Sequence, residues 1–128
     1  MISGTLIRGR MAMGMAALGV AFMPASLHAH SAVTATTPAN GATVAALPGS
    51  IRITFGEVIG RIILVTATDA AGKNHVVSAK MDPRNASRVL ARTRDSRPGR
   101  YRVQWKVVAT DGHAQAGTYT FTVKPEKS

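Results

Sequence analysis

Arg100-Tyr101-Arg102-Val103-Gln104-Trp105-Lys106-Val107-Val108 is the stretch that decides the fold. Large apolar side chains occupy every second position from Tyr101 to Val107. Arg100, Arg102, Gln104 and Lys106 fill the positions between. Successive side chains of a strand point to opposite faces. The pattern therefore predicts a strand with one face on a core and the other in water, as in an antiparallel sheet.

Working outward, the same period returns. Ile51, Ile53 and Phe55 alternate with Arg52 and Thr54, and Tyr119, Phe121 and Val123 point inward from a last strand over Thr118–Lys124. Ile62–Thr68 is β-branched and mostly apolar, as a buried strand is. His75–Lys80 and Ser87–Thr93 continue the series, with shorter extended pieces at Ala32–Thr37 and Thr43–Ala46. Turn residues punctuate them: Pro38, Asn40 and Gly41; Pro48-Gly49; Gly72; Asp82-Pro83; Pro98-Gly99. Ala109–Ala116 reads as a loop. About seven strands with no helical periodicity after residue 29 predict an all-β sandwich.

The first 29 residues stand apart from that pattern. Arg8 and Arg10 precede an uncharged run from Met11 to Met23, Pro24 breaks it, and small residues surround Ala29. Basic start, apolar middle and small residue at the cut are the layout of a secretory signal. Thirteen residues are too few to span a bilayer comfortably, which takes about 20. We expect a signal peptide at 1–29, one domain at 30–128, and a mature protein outside the cytoplasm. Without Arg8 and Arg10 the formal charge falls from +10 to +8, which favours anionic surfaces without naming a partner. The 128 residues contain no cysteine, which excludes disulfides, zinc–thiolate sites and iron–sulfur clusters.

Cleavage after Ala29 would make His30 the N-terminal residue. Its α-amine and ring Nδ1 could then chelate one metal ion. Asp111-Gly112-His113 offers a carboxylate and an imidazole two residues apart, with a glycine between them that lets the backbone bend. Amine, two imidazoles and a carboxylate form an N3O set, and nitrogen with oxygen in a tetragonal plane suits Cu(II). Zinc accepts such ligands but prefers a tetrahedron. Met81 is the one methionine after the leader, so a thioether site for Cu(I) is not expected.

Several blocks together resemble the CopC family of periplasmic copper-binding proteins. They are His28-Ala29-His30, Thr37-Pro38-Ala39-Asn40-Gly41, Ile53-Thr54-Phe55-Gly56-Glu57, Tyr101-Arg102-Val103-Gln104-Trp105, and Val108-Ala109-Thr110-Asp111-Gly112-His113-Ala114-Gln115-Ala116-Gly117. The resemblance implies a cupredoxin-like or immunoglobulin-like Greek-key sandwich. It implies one Cu(II) per chain, held by His30, Asp111 and His113, with Glu57 just outside the ligands. Gly56-Glu57-Val58-Ile59-Gly60 is shorter and more apolar than the usual segment there. Some members carry a Met-rich loop for Cu(I); this chain has none, which places it with the Cu(II)-only type. The resemblance also implies a CopD-type membrane protein as partner.

The expected function is thus a non-enzymatic copper carrier or buffer in copper homeostasis or resistance, acting as a monomer. Two other readings stand beside it: an oxidative copper enzyme with an N-terminal histidine site, and a metal-free structural sandwich. His75 reads as a surface histidine, and Trp105 and Tyr101 as core. Arg84, Arg88, Arg92, Arg94, Arg97, Arg100 and Arg102 make a dense basic region, read first as a solvated face and otherwise as docking for an acidic partner or membrane surface. Nucleic-acid binding is not expected of an exported chain with few exposed aromatics.

Overall fold

The computed structural model describes residues 33–126. The leader expected at 1–29 and the candidate ligand His30 lie outside the described residues. The strands run in chain order β1 (Val33–Thr37), β2 (Thr43–Val44), β3 (Ser50–Phe55), β4 (Ile59–Thr68), β5 (Val76–Asp82), β6 (Asn85–Thr93), β7 (Gly99–Ala109) and β8 (Ala114–Val123). They form two four-stranded sheets, β1-β3-β6-β5 and β2-β8-β7-β4. The architecture is the β-sandwich that the alternation predicts.

There are eight strands where about seven were expected. The extended piece expected at Thr43–Ala46 is β2, shortened to Thr43–Val44, which pairs in parallel with Thr122 and Val123 at the end of β8. The loop expected over Ala109–Ala116 is also shorter. The β7–β8 ladder runs unbroken from Gly99↔Val123 to Val108↔Ala114. Ala114, Ala116 and Gly117 carry no hydrophobic signal, yet their backbones pair as well as any.

The core lies between the sheets. Ile51, Ile53, Phe55, Val89 and Ala91 face Val65, Ala67, Tyr101, Val103, Trp105, Val107, Tyr119, Phe121 and Val123, all buried. Arg100, Arg102, Gln104 and Lys106 are exposed, as the period requires. Phe55 meets Trp105 edge to face at 5.1 Å. Tyr101 stacks on Phe121 at 5.3 Å. The Tyr101 hydroxyl donates to the Arg97 carbonyl (2.8 Å) and accepts from the Arg97 amide (3.0 Å). This is a tyrosine corner, which ties the strand's start to the turn before it.

His75 is not on the surface. It is 2% exposed. Its Nε2 lies 2.7 Å from Asp69 Oδ2 and its Nδ1 3.0 Å from the Arg94 carbonyl oxygen. The ring lies between these two oxygens, set edge-on against Tyr101 at 5.1 Å. Burial is feasible because Asp69, in the β4–β5 turn, and the Arg94 carbonyl give both ring nitrogens hydrogen-bond partners. The turn locks Asp69 in turn: its Oδ1 accepts from the amides of Ala71 and Lys73 at 2.9 and 3.0 Å. The bond from His75, then that from the Lys73 amide, lowers the Asp69 carboxyl from 3.8 to about 2.

A carboxyl depressed in the folded chain stabilises it fully above its unfolded value, and that contribution drains away as pH falls from about 4 to about 2. Thermal unfolding between pH 5 and 2 should therefore fall steeply in the wild type. Asp69→Asn, less stable at pH 5, should fall less steeply across the same window. Equal slopes would remove this pair from the acid response.

Gly117 faces Trp105 across the β7–β8 ladder. A Cβ built on it would sit 2.5 Å from the indole Cζ2, so the indole occupies the space a side chain would need. Gly117→Ala is expected to cost about 1–3 kcal/mol in urea unfolding through overpacking. Adding Trp105→Leu should cost less in that background than in the wild type. Strict additivity would mean the two sites do not share this space.

Candidate metal centre

Asp111, Gly112 and His113 form the tip of the β7–β8 connection. The Gly112 amide donates to the Ala109 carbonyl (2.9 Å), and the Ala109 amide donates back to the His113 carbonyl (2.9 Å). Gly112 takes φ of 94°, a conformation that costs glycine little and most other residues more. Asp111 Oδ1 accepts the His113 amide at 2.9 Å, closing an Asx turn. Its Oδ2 lies 3.2 Å from His113 Nδ1. The amide bond first, and the ring bond second, hold the Asp111 carboxyl below its ordinary 3.8. Both side chains are open to solvent, Asp111 55% exposed and His113 80%.

The backbone thus brings a carboxylate and an imidazole to one point before any ion arrives. Two donors each about 2 Å from one ion stand about 2.8–3.4 Å apart over the angles from square planar to tetrahedral. The 3.2 Å found here falls within that span. Among the described residues, no group of three or more His, Asp or Glu side chains converges in a way that could hold a metal. Asp111 and His113 are therefore two donors of an incomplete set.

Other segments reach the same end of the sandwich. The Val58 carbonyl, in the β3–β4 turn, accepts from the Thr110 amide at 3.1 Å. Glu57, in that turn, accepts a hydrogen bond from the side-chain amide of Gln115 on β8. Its carboxylate is thus joined to the strand that begins one residue after His113, without a described contact to Asp111 or His113. The β1–β3 register sets Val33 opposite Phe55, so the start of β1 lies beside the same turn.

Gln115 escaped the sequence reading. Its sign was the spacing Asp111, His113, Gln115, which repeats every second residue into β8. Its second amide atom, Oε1, is buried with no hydrogen-bond partner among the described residues.

In a carboxyl-carbon NMR titration Asp111 is expected to turn over below 3.8. His113→Ala keeps the backbone amide and deletes the ring, so it should move that midpoint only part of the way back. A midpoint at 3.8 in the wild type would mean that the turn is not formed in solution.

Comparison with known proteins gives concordant matches. A family model described as the CopC domain matches residues 33–124. Protein YobA of Escherichia coli K12 is 33% identical over 114 residues, 86% of this chain and 91% of that protein. Copper resistance protein C of Escherichia coli is 33% identical over 116 residues, 84% and 89% of the two chains. The crystal structure of CopC from Methylosinus trichosporium OB3b superposes with a TM-score of 0.69 at 27% identity, covering 77% of this chain and 98% of that one. PcoC, a methionine-rich copper resistance protein from Escherichia coli, gives 0.56 at 30% identity, over 73% and 97%.

Proposed function

This chain belongs to the CopC family, and from that premise we propose that it is a periplasmic Cu(II) carrier or buffer, binding one ion per chain through His30, Asp111 and His113. The observation that carries the reading is the Asp111–His113 pair, two preset donors at the end of the sandwich where β1 begins. His30 precedes Val33, where β1 begins, by three residues in the sequence.

In this reading each group has a separate task. The Asx turn holds the Asp111 carboxylate ionised and aimed. At 3.2 Å from Asp111 Oδ2, His113 Nδ1 offers the imidazole nitrogen that would share the ion with the carboxylate. Glu57, fixed by Gln115, adds negative charge outside the ligand set. The α-amine of His30 exists only after the leader is cut, so the signal peptidase completes the site. An amine, whose ordinary pKa is about 8, must lose its proton to bind, so binding weakens as pH falls. The exposure of Asp111 and His113 suits a carrier that passes its ion to a membrane protein of the CopD type.

The test is a Cu(II) competition titration on two chains, one starting at His30 and the other carrying one extra residue before it. The first is expected to bind tightly and the second far more weakly. Equal affinities would overturn the role of the amine. In the first chain, His113→Ala should also bind far more weakly. Wild-type affinity there would overturn the site.

A further inference from the structure

The register of the β2-β8-β7-β4 sheet fixes what its outer face displays. Along β7, Arg100, Arg102, Gln104 and Lys106 point outward and are exposed. On one side they stand beside Thr122, Thr120, Thr118 and Ala116 of β8. On the other, Arg102, Gln104 and Lys106 stand beside Thr68, Thr66 and Leu64 of β4. Arg61 ends the face opposite Val108. A cationic ridge thus runs down the central strand between two rows of short side chains.

Nothing on the face neutralises that ridge. The six acidic residues are Glu57, Asp69, Asp82, Asp95, Asp111 and Glu126. Five of them lie in connections or after the last strand, and Asp82 ends β5 in the other sheet. The other sheet's outer face also carries cations, Arg52, Lys80, Arg88 and Arg92, but there Asp82 pairs with Arg88 at 3.4 Å. Arg100 and Arg102 stand about 7 Å apart along one face of the strand and Lys106 about 13 Å further on, and their mutual repulsion is unrelieved within the sheet.

The second property of the face is apolar. At its β4 edge Ile63 and Leu64 are 43% and 37% exposed. Leu64 borders a shallow hollow with Lys106, Ala116 and Thr118. Cations in line, flanked by exposed aliphatic side chains, complement anionic headgroups above an apolar interior. Among the described residues, the hollow on this face is open and shallow, unlike a groove that would enclose an acidic peptide.

We infer that the outer face of the β2-β8-β7-β4 sheet docks on an anionic lipid bilayer through Arg61, Arg100, Arg102 and Lys106, with Ile63 and Leu64 as apolar contacts. The inference rests on the proposed export only for bringing the face to a membrane; it does not depend on copper. Docking this way would hold the Asp111–His113 turn, at the end of the same two strands, close to the lipid surface.

The test is co-sedimentation of the chain from residue 30 onward, which contains all eight strands, with phosphatidylglycerol–phosphatidylcholine vesicles, in chelator and at low salt. Two triple variants of equal net charge are compared, each first checked for an unchanged unfolding midpoint. One is Arg100→Gln, Arg102→Gln, Lys106→Gln; the other is Arg52→Gln, Lys80→Gln, Arg92→Gln. A lysine or arginine near an anionic surface contributes about fivefold in affinity, so the first variant should bind about a hundredfold more weakly. The second should stay close to wild type, and pure phosphatidylcholine vesicles should bind neither. Equal losses in both variants would reduce the effect to net charge and overturn the docking face. So would wild-type protein that ignores the anionic vesicles, or that binds soluble polyglutamate through this face in their place. The chelator keeps the result separate from the copper titration, so either reading can fail alone.

Discussion

Pairing of β7 with β8 on one side and β4 on the other is the constraint on which the rest of the molecule depends. A side-chain period of two means that a register slip of one residue would turn Tyr101, Val103, Trp105 and Val107 out and the cations in. The unbroken β7–β8 ladder prevents that. The same register places Gly117 against the indole of Trp105 and Phe121 against the Tyr101 ring. It also ends the two strands together, so that four residues, Thr110 to His113, must reverse the chain. The Asp111–His113 turn is therefore set by the same register that packs the core.

Two aspartate–histidine pairs sit in this sandwich and show how environment assigns a role. In Asp69–His75 both ring nitrogens are engaged by acceptors and the imidazole is sealed from water. Burial and these two partners shut the ring off from any metal ion. This pair fastens the β4–β5 turn to the β6–β7 turn, beside the tyrosine corner. In Asp111–His113 the side chains are exposed, and only Nδ1 is engaged among the described contacts. The chemistry is the same and the accessible valence is not.

How much of this could be read from the chain follows from how far each signal reaches. The Ile51–Phe55 and Tyr101–Val107 alternations are local, and both appear in the structure with the predicted faces inward. Thr43–Val44 could be read as extended, but not its parallel pairing with the far end of β8. His75 was misplaced because a lone histidine before a strand reads as polar surface. Its burial depends on Asp69 and on the Arg94 carbonyl, one across a hairpin and the other at the end of another strand. The basic region was legible as charge but not as geometry. Arg88 and Arg92 face out from one sheet and Arg100 and Arg102 from the other, so a single run of arginines supplies two surfaces.

The candidate site was legible in a different way. Asp111 and His113 stood out only beside His30 and the family blocks; the glycine between them allows the tight turn that joins them. What spacing could not convey is that β1 starts beside the β3–β4 turn, and that this turn is bonded to the β7–β8 turn. That convergence matters because two side-chain donors hold an ion only weakly. A chelating N-terminus would add two nitrogens from one residue without another buried polar side chain. A sandwich whose first strand begins at the donor turn can recruit its own terminus as a ligand. One whose first strand began at the opposite end, beside Tyr101 and His75, could not.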